Sequence, residues 1–135
     1  MRIIFDTNDE DIVMALDCAK IERVLLNLLS NAIKFSYDDE IIYVNVNKKG
    51  ENVIISIRDF GIGMSEKYLE KIFDRFIQVD NTMTRKNEGS GIGLSIVKSF
   101  VSLHNGNISV KSKENEGSEF IINLPINLIE DKELF

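Results

Sequence analysis

Asn27, Asn31 and Lys34 stand at i, i+4 and i+7 in one apolar-periodic segment, so on a helix they form a single stripe. The stripe borders the apolar set Ile21, Val24, Leu25, Leu28, Leu29, Ala32 and Ile33, which places polar groups at the rim of a core where a ligand can reach them. An amide oxygen is a hard donor suited to Mg²⁺ and leaves the metal free for phosphate oxygens and water. The Lys34 ammonium is a point charge suited to phosphate. Further on, Asp59 is followed by Gly61 and Gly63. A carboxylate can accept a hydrogen bond from the exocyclic amine of adenine, and the glycines permit a sharp turn and a close approach to a ring. Gly89, Gly91 and Gly93 then precede Leu94, and glycines opening a helix can offer backbone N–H groups to an anion. No Lys-Ser or Lys-Thr follows, so this is not a Walker loop, and a loop precedes it, so it is not a dinucleotide fingerprint. Each piece has a plain structural alternative: asparagine at a helix edge, an Asx turn, a flexible glycine run. In this order they supply the parts of an ATP site.

These residues need a scaffold, and 135 residues suffice for one compact core. Composition is that of a soluble globular domain, no apolar run is long enough to cross a bilayer, and no signal-peptide pattern opens the chain. A cytoplasmic location without membrane contact by this chain is therefore expected, and any membrane-contacting part of the native protein would lie outside it. The net charge of −6 argues against nucleic acid as a partner. It also opposes a free triphosphate, so Mg²⁺ or placed Lys and Arg residues must offset it locally. Cys18, the single cysteine, permits neither an internal disulfide nor a cysteine-based zinc site and reads as a small buried filler.

Alternation predicts short strands over residues 2–5 and 10–16, and Asp17 is placed to cap a helix running to Phe35. Ile41–Asn47 and Val53–Arg58 read as a hairpin, residues 66–72 as a short helix after Ser65, and 77–90 as a polar mobile loop. Gly93–Leu103 reads as a helix, and Gly106–Lys113 with Ser118–Leu124 as a second hairpin. The expected architecture is α+β: a two-layer α/β sandwich of one mixed, mostly antiparallel sheet with about three helices on one face. Residues 1–125 form the domain and 126–135 a loose tail.

The residues from Ile21 to Ser36, Asp59 to Met64, Ile72 to Phe76 and Gly89 to Val97 resemble four boxes of one family in their usual order. These are the asparagine, first glycine, phenylalanine and second glycine boxes of the catalytic and ATP-binding domain of bacterial sensor histidine kinases. That domain belongs to the wider superfamily of gyrase, heat-shock chaperone and mismatch-repair ATPases. The resemblance runs from about Asp17 to Pro125 and implies the Bergerat-type fold. It implies an ATP-binding set of Asn27, Asn31, Lys34, Phe35, Asp59, Gly61, Ile62, Gly63, Arg85, Gly89, Gly91, Gly93 and Leu94. Within it Asn31 holds Mg²⁺, Asn27 and Lys34 serve the phosphates and catalysis, Phe35 stacks near adenine, and Asp59 binds its amine. The segment between the phenylalanine box and Gly89 would be the ATP lid.

The reaction implied is transfer of the ATP γ-phosphoryl group to a histidine on a separate helical dimerisation and phosphoacceptor domain, with a response regulator as indirect partner. Hydrolases of the superfamily typically carry glutamate where Asn27 stands, and an amide cannot serve as a general base. A neutral imidazole acceptor is itself nucleophilic, so Asn27 favours phosphotransfer over hydrolysis. An anti-sigma-factor-type serine kinase, which would be expected to keep the glutamate, and a non-catalytic nucleotide-gated module are the alternatives. Gln78 stands where many members have Arg, and Glu119 where Ser or Thr is usual; Arg75, Arg85 or Lys86 could supply the missing cation. The acceptor hairpin is not in this sequence, and His104, the single histidine, reads as structural or capping. Phe73 and Phe76 are expected to divide their roles, one packing and one docking the acceptor domain or the lid.

Overall fold

The computed structural model describes residues 1–69, 71–73 and 90–126, the side chains of 90–92 excepted. Strand β1 (Arg2–Thr7) is followed by helix α1 (Cys18–Phe35), strands β2 (Ile41–Lys49) and β3 (Asn52–Asp59), helix α2 (Glu66–Leu69), helix α3 (Ser90–Leu103), and strands β4 (Asn107–Lys113) and β5 (Gly117–Pro125). The five strands form one sheet in the order β1-β2-β3-β5-β4. Only β1 and β2 run parallel; the other three pairings are antiparallel. This is the mixed, mostly antiparallel α+β sandwich expected.

Period-two burial explains the layer. Val53, Ile55 and Ile57 of β3 and Phe120, Ile122 and Leu124 of β5 face one side and are buried, as alternate residues of a half-covered sheet must be. Onto that face α1 lays Ile21, Val24, Leu28 and Ala32, and α3 lays Leu94, Val97 and Val101. The two helices also pack on each other. Helix α1 starts where Asp17 accepts a hydrogen bond from the Lys20 N–H at 3.1 Å, the arrangement of an N-cap. Helix α3 closes on Asn105 at φ 60°, with Gly106 N–H returning to the Val101 carbonyl at 3.1 Å in a left-handed C-terminal cap.

Five expectations require correction. Residues 10–16 are not a strand: they pair with no ladder, although Ile12, Met14 and Leu16 pack against the core. Their alternation records which side chains reach the core; the backbone is instead held by single bonds such as Ala15 N–H to the Ile126 carbonyl at 3.2 Å. Ile126, expected to begin the loose tail, is buried and donates to the Glu51 carbonyl at 2.8 Å. Cys18 is exposed, because it is the first residue of α1 and the helix first reaches the core one turn later, at Ile21. Helix α3 begins at Ser90, three residues before the expected start; glycine is a poor helix former yet is not excluded from helical geometry. Helix α2 ends at Leu69, and Lys71 N–H bonds the Tyr68 carbonyl at i−3, a turn in place of the expected continuation to residue 72. The expected lid, with Gln78, Arg85, Lys86 and Gly89, lies outside the described residues, as do Arg75, Phe76 and residues 127–135.

Candidate functional site

A cavity opens between α1, the end of β3, the loop after it and the start of α3. It is lined by Asn31, Phe35, Asp59, Ile62, Gly63, Met64, Ile72, Leu94, Ser118 and Phe120. Polar groups occupy two places in an otherwise apolar wall. Asp59 and Ser118 sit side by side as paired residues of β3 and β5, and Asn31 projects from α1. Asp59 and Asn31 are 5% and 8% exposed, and burying such groups costs free energy unless something pairs with them.

Asp59 is only partly paired. Its Oδ1 accepts the Gly61 N–H at 3.0 Å, which is the Asx turn offered as the plain alternative; structural and ligand-binding roles coexist because a carboxylate has two oxygens. Burial pushes its carboxyl above the ordinary value, and the Gly61 and Ser118 backbone N–H groups oppose that shift without cancelling it. A donor delivered to the second oxygen by a ligand would relieve the imbalance. The Asn31 amide meets no hydrogen-bonding partner among the described residues and borders the cavity.

The loop from Gly61 to Met64 is held by the protein on both sides. Ile62 N–H donates to the Phe35 carbonyl at 3.0 Å, and the Ile62 carbonyl accepts the Asn115 N–H at 2.7 Å. Met64 N–H donates to Ser112 Oγ at 2.8 Å. Ser112 Oγ in turn lies 2.9 Å from the Gly117 carbonyl and 2.7 Å from Ser118 Oγ. Ser112 donates to the carbonyl and accepts from Ser118 and Met64, so every bond in the chain has one proton. The glycines are explained by this clamp. A Cβ on Gly61 would lie 1.7 Å from the Phe35 carbonyl oxygen, and one on Gly63, at φ +64°, 1.9 Å from that of Lys113. Close approach was expected towards a ring; the structure shows it towards the protein's own backbone.

Asn27 and Lys34 are half-buried and lie outside the cavity wall proper. Asn27 faces α3: a Cβ on Gly93 would stand 3.6 Å from its Oδ1. The asparagine stripe therefore runs from the cavity, at Asn31, to the N-terminal turns of α3, at Asn27. Gly91 lies in the first turn of α3. Of the expected set, the structure brings Asn31, Phe35, Asp59, Ile62, Gly63 and Leu94 to one cavity, sets Asn27 beside Gly93, and places Gly61 behind the wall.

Met64, Ile72, Ser118 and Phe120 also line the cavity and were not singled out as site residues. Ser118 and Phe120 were legible only as inward positions of β5, and their nearness to Asp59 follows from strand pairing. Phe73 packs edge-on against Phe120, with ring centroids 6.2 Å apart. His104 is structural, as expected. Its Nε2 accepts the Asp17 N–H at 2.9 Å, and its Nδ1–H donates to the Phe100 carbonyl at 2.8 Å, which fixes one neutral tautomer. No three His, Cys, Asp or Glu side chains converge on a metal among the described residues. A single buried amide fits a metal that arrives with its other ligands on a phosphate chain.

Comparison with known proteins agrees with this geometry. Residues 17–128 match the family described as histidine kinase-, DNA gyrase B- and HSP90-like ATPase. The chain is 41% identical over 127 residues to the sensor histidine kinase WalK of Bacillus subtilis, covering 93% of this chain and 21% of that relative. It thus spans about a fifth of a curated relative's length. The catalytic domain of histidine kinase ThkA superposes with a TM-score of 0.79 at 30% identity, covering 93% of this chain and 78% of that one. A structure of ThkA in complex with response regulator protein TrrA superposes with a TM-score of 0.74 at 31% identity, covering 92% and 34%. With a family match over residues 17–128, the chain belongs to the histidine kinase-, DNA gyrase B- and HSP90-like ATPase family.

Proposed function

We propose that this chain binds Mg²⁺-ATP and transfers the γ-phosphoryl group to a histidine on a separate helical dimerisation and phosphoacceptor domain, in the cytoplasm, with a response regulator downstream. The observation that carries the proposal is the placing of a buried carboxylate, Asp59, and a buried amide, Asn31, which has no hydrogen-bonding partner among the described residues, on the wall of one apolar cavity. The adenine ring occupies the apolar part near Met64, Ile72, Leu94 and Phe120, and its amine donates to the second oxygen of Asp59. Asn31 holds Mg²⁺, which neutralises phosphate charge that the acidic chain would otherwise repel. Asn27, beside Gly93, orients the phosphates towards the first turns of α3, and Lys34, Arg85, Gly89 and Gly91 complete the phosphate side.

The acceptor nitrogen of a neutral imidazole forms the new bond to phosphorus as the bond from phosphorus to the ADP oxygen breaks. Here the protein supplies position and charge, and no acidic side chain replaces Asn27 as a base. The supported partners follow from relatives: full-length sensor histidine kinases share this domain, and ThkA is found with a response regulator.

Labelled ATP incubated with the chain alone and with a helical acceptor domain in trans tests the reading. Label should pass to the acceptor domain and not to the chain, since both ring nitrogens of His104 are engaged in the fold. Labelling of the chain itself, or ATP binding without transfer to any acceptor, would overturn it.

A further inference from the structure

Strand β1 is the edge of the sheet and pairs only with β2 among the described residues. Its apolar side chains are uncovered: Ile3 is 52% and Phe5 62% exposed, although both belong to the helix-bearing face, as the pairing of Ile3 with buried Ile42 shows. Arg2 N–H donates across to the Glu40 carbonyl at 3.2 Å, so Arg2, Ile4 and Asp6 direct their backbone groups to β2. By alternation, Ile3 and Phe5 direct theirs to the open edge. An edge of this kind is a template for another strand.

The sequence Arg2-Ile3-Ile4-Phe5-Asp6 is complementary to itself in one antiparallel register. With Ile4 opposite Ile4 of a second copy, Ile3 falls opposite Phe5 and Arg2 opposite Asp6. The pairs Ile3–Phe5 are those whose N–H and C=O groups face the open edge, so they are the hydrogen-bonded pairs of the ladder and Ile4–Ile4 is a non-hydrogen-bonded pair. Arg2, Ile4 and Asp6 share the outer face, Ile3 and Phe5 the inner, so charge meets opposite charge on one side and apolar meets apolar on the other. A register shifted by one residue in total would oppose edge-facing groups to groups already bonded to β2.

We propose that β1 is an interaction surface for a second copy of this chain, joined through antiparallel β1–β1 pairing into one continuous ten-stranded sheet. The two-fold axis passes between the two Ile4 residues, perpendicular to the sheet, so the helical layers and nucleotide cavities of both copies lie on the same side. The uncovered inner face of β1 leaves room between the two α1 helices, and Ile3 and Phe5 floor that space.

Sedimentation equilibrium of the 135-residue chain over rising concentration tests this, together with amide hydrogen exchange. A reversible monomer–dimer equilibrium is expected, with the Ile3 and Phe5 amides becoming protected as dimer accumulates. Asp6→Arg sets arginines opposite one another, and Arg2→Asp sets aspartates opposite one another. Each should weaken association by about tenfold, since each places like charges across the strand pair twice per dimer. The double exchange Arg2→Asp with Asp6→Arg should restore it, and this also separates a lost contact from a misfolded variant. A chain that stays monomeric at every concentration would show that β1 does not pair with a second copy. A dimer indifferent to the single reversals, or one not recovered by the double exchange, would place the interface elsewhere. Either result overturns the proposal.

Discussion

Asp59 carries opposing demands. Its carboxyl is raised above the ordinary value of 3.8 chiefly by burial. A raised folded-state value means that the native protein binds more protons than the unfolded chain between the two values. The stability associated with protonated Asp59 is present below 3.8 and is lost as pH rises through the folded-state value. Asp59→Asn removes that cost while leaving an oxygen for the Gly61 N–H. The variant should match the parent's thermal stability in acid and exceed it near neutrality, which melting curves from about pH 4 to about pH 7 would show. ATP affinity should fall by about 1–3 kcal/mol in calorimetry, the loss expected of a charge-assisted hydrogen bond; unchanged affinity would remove Asp59 from the site. The glycines divide in the same physical way. Gly61→Ala drives a methyl into the Phe35 carbonyl and should cost about 3 kcal/mol or more of stability. Gly93→Ala meets only an ordinary contact with Asn27 and should leave stability within about 1 kcal/mol, on the favourable side for a helix. Chemical denaturation of both variants would separate them.

The elements owe their positions to a few junctions between secondary structures. His104 ties the C-terminal turn of α3 to the N-cap of α1 through Phe100 and Asp17, and these two helices bear Asn27, Asn31 and Gly93. His104→Ala leaves the Asp17 N–H without its acceptor, and backbone donors deprived of a partner are costly where water does not replace it. Faster amide exchange is expected at the first turn of α1 and the last turn of α3, with the β3–β5 ladder unchanged. Uniform acceleration across the sheet would show that His104 supports the whole fold instead. The Asp17 carboxyl is held below the ordinary value by the Lys20 backbone N–H and then by the Lys20 side chain. Its capping contribution is therefore present at neutral pH and lost as pH falls through that lowered value. At the opposite end of α1, Phe35 passes its carbonyl to Ile62 N–H, so the helix that offers the amides also anchors the glycine loop.

For the molecule as a whole, one sheet separates two kinds of surface. The inner face is a core plus the cavity lined by Asn31 and Asp59. The outer face carries a cross-strand row of Tyr43, Arg58, Glu119 and Lys111, in which opposite charges are neighbours. Arg58 also lies 4.7 Å over the Phe60 ring, and Tyr43 meets that ring edge-on. This places Glu119 between two cations on the solvent side and away from the cavity. Glu119→Ser should leave ATP affinity unchanged within about twofold and change stability by less than about 1 kcal/mol, the scale of an exposed pair. A larger loss of ATP affinity would show that the outer face communicates with the cavity.

The apolar period of α1, the alternation in β2 to β5 and the positions of Asn31, Asp59 and the glycines were legible along the chain, because helix and strand periods are local properties of side chains. So were the three short motifs from which the fold draws Asn31, Asp59, Gly63 and Leu94 to one cavity. Pairing decided the rest. Ser118 and Phe120 reach the cavity only because β5 lies beside β3, and Gly61 meets Phe35 only because α1 ends over the loop. The alternation of residues 10–16 looked like a strand because it reports burial of Ile12, Met14 and Leu16, whereas a strand is made by backbone partners supplied from elsewhere in the fold. Whether Cys18 is buried and whether β1 keeps an open edge likewise depend on which neighbour arrives in space, and no local pattern of residues encodes that.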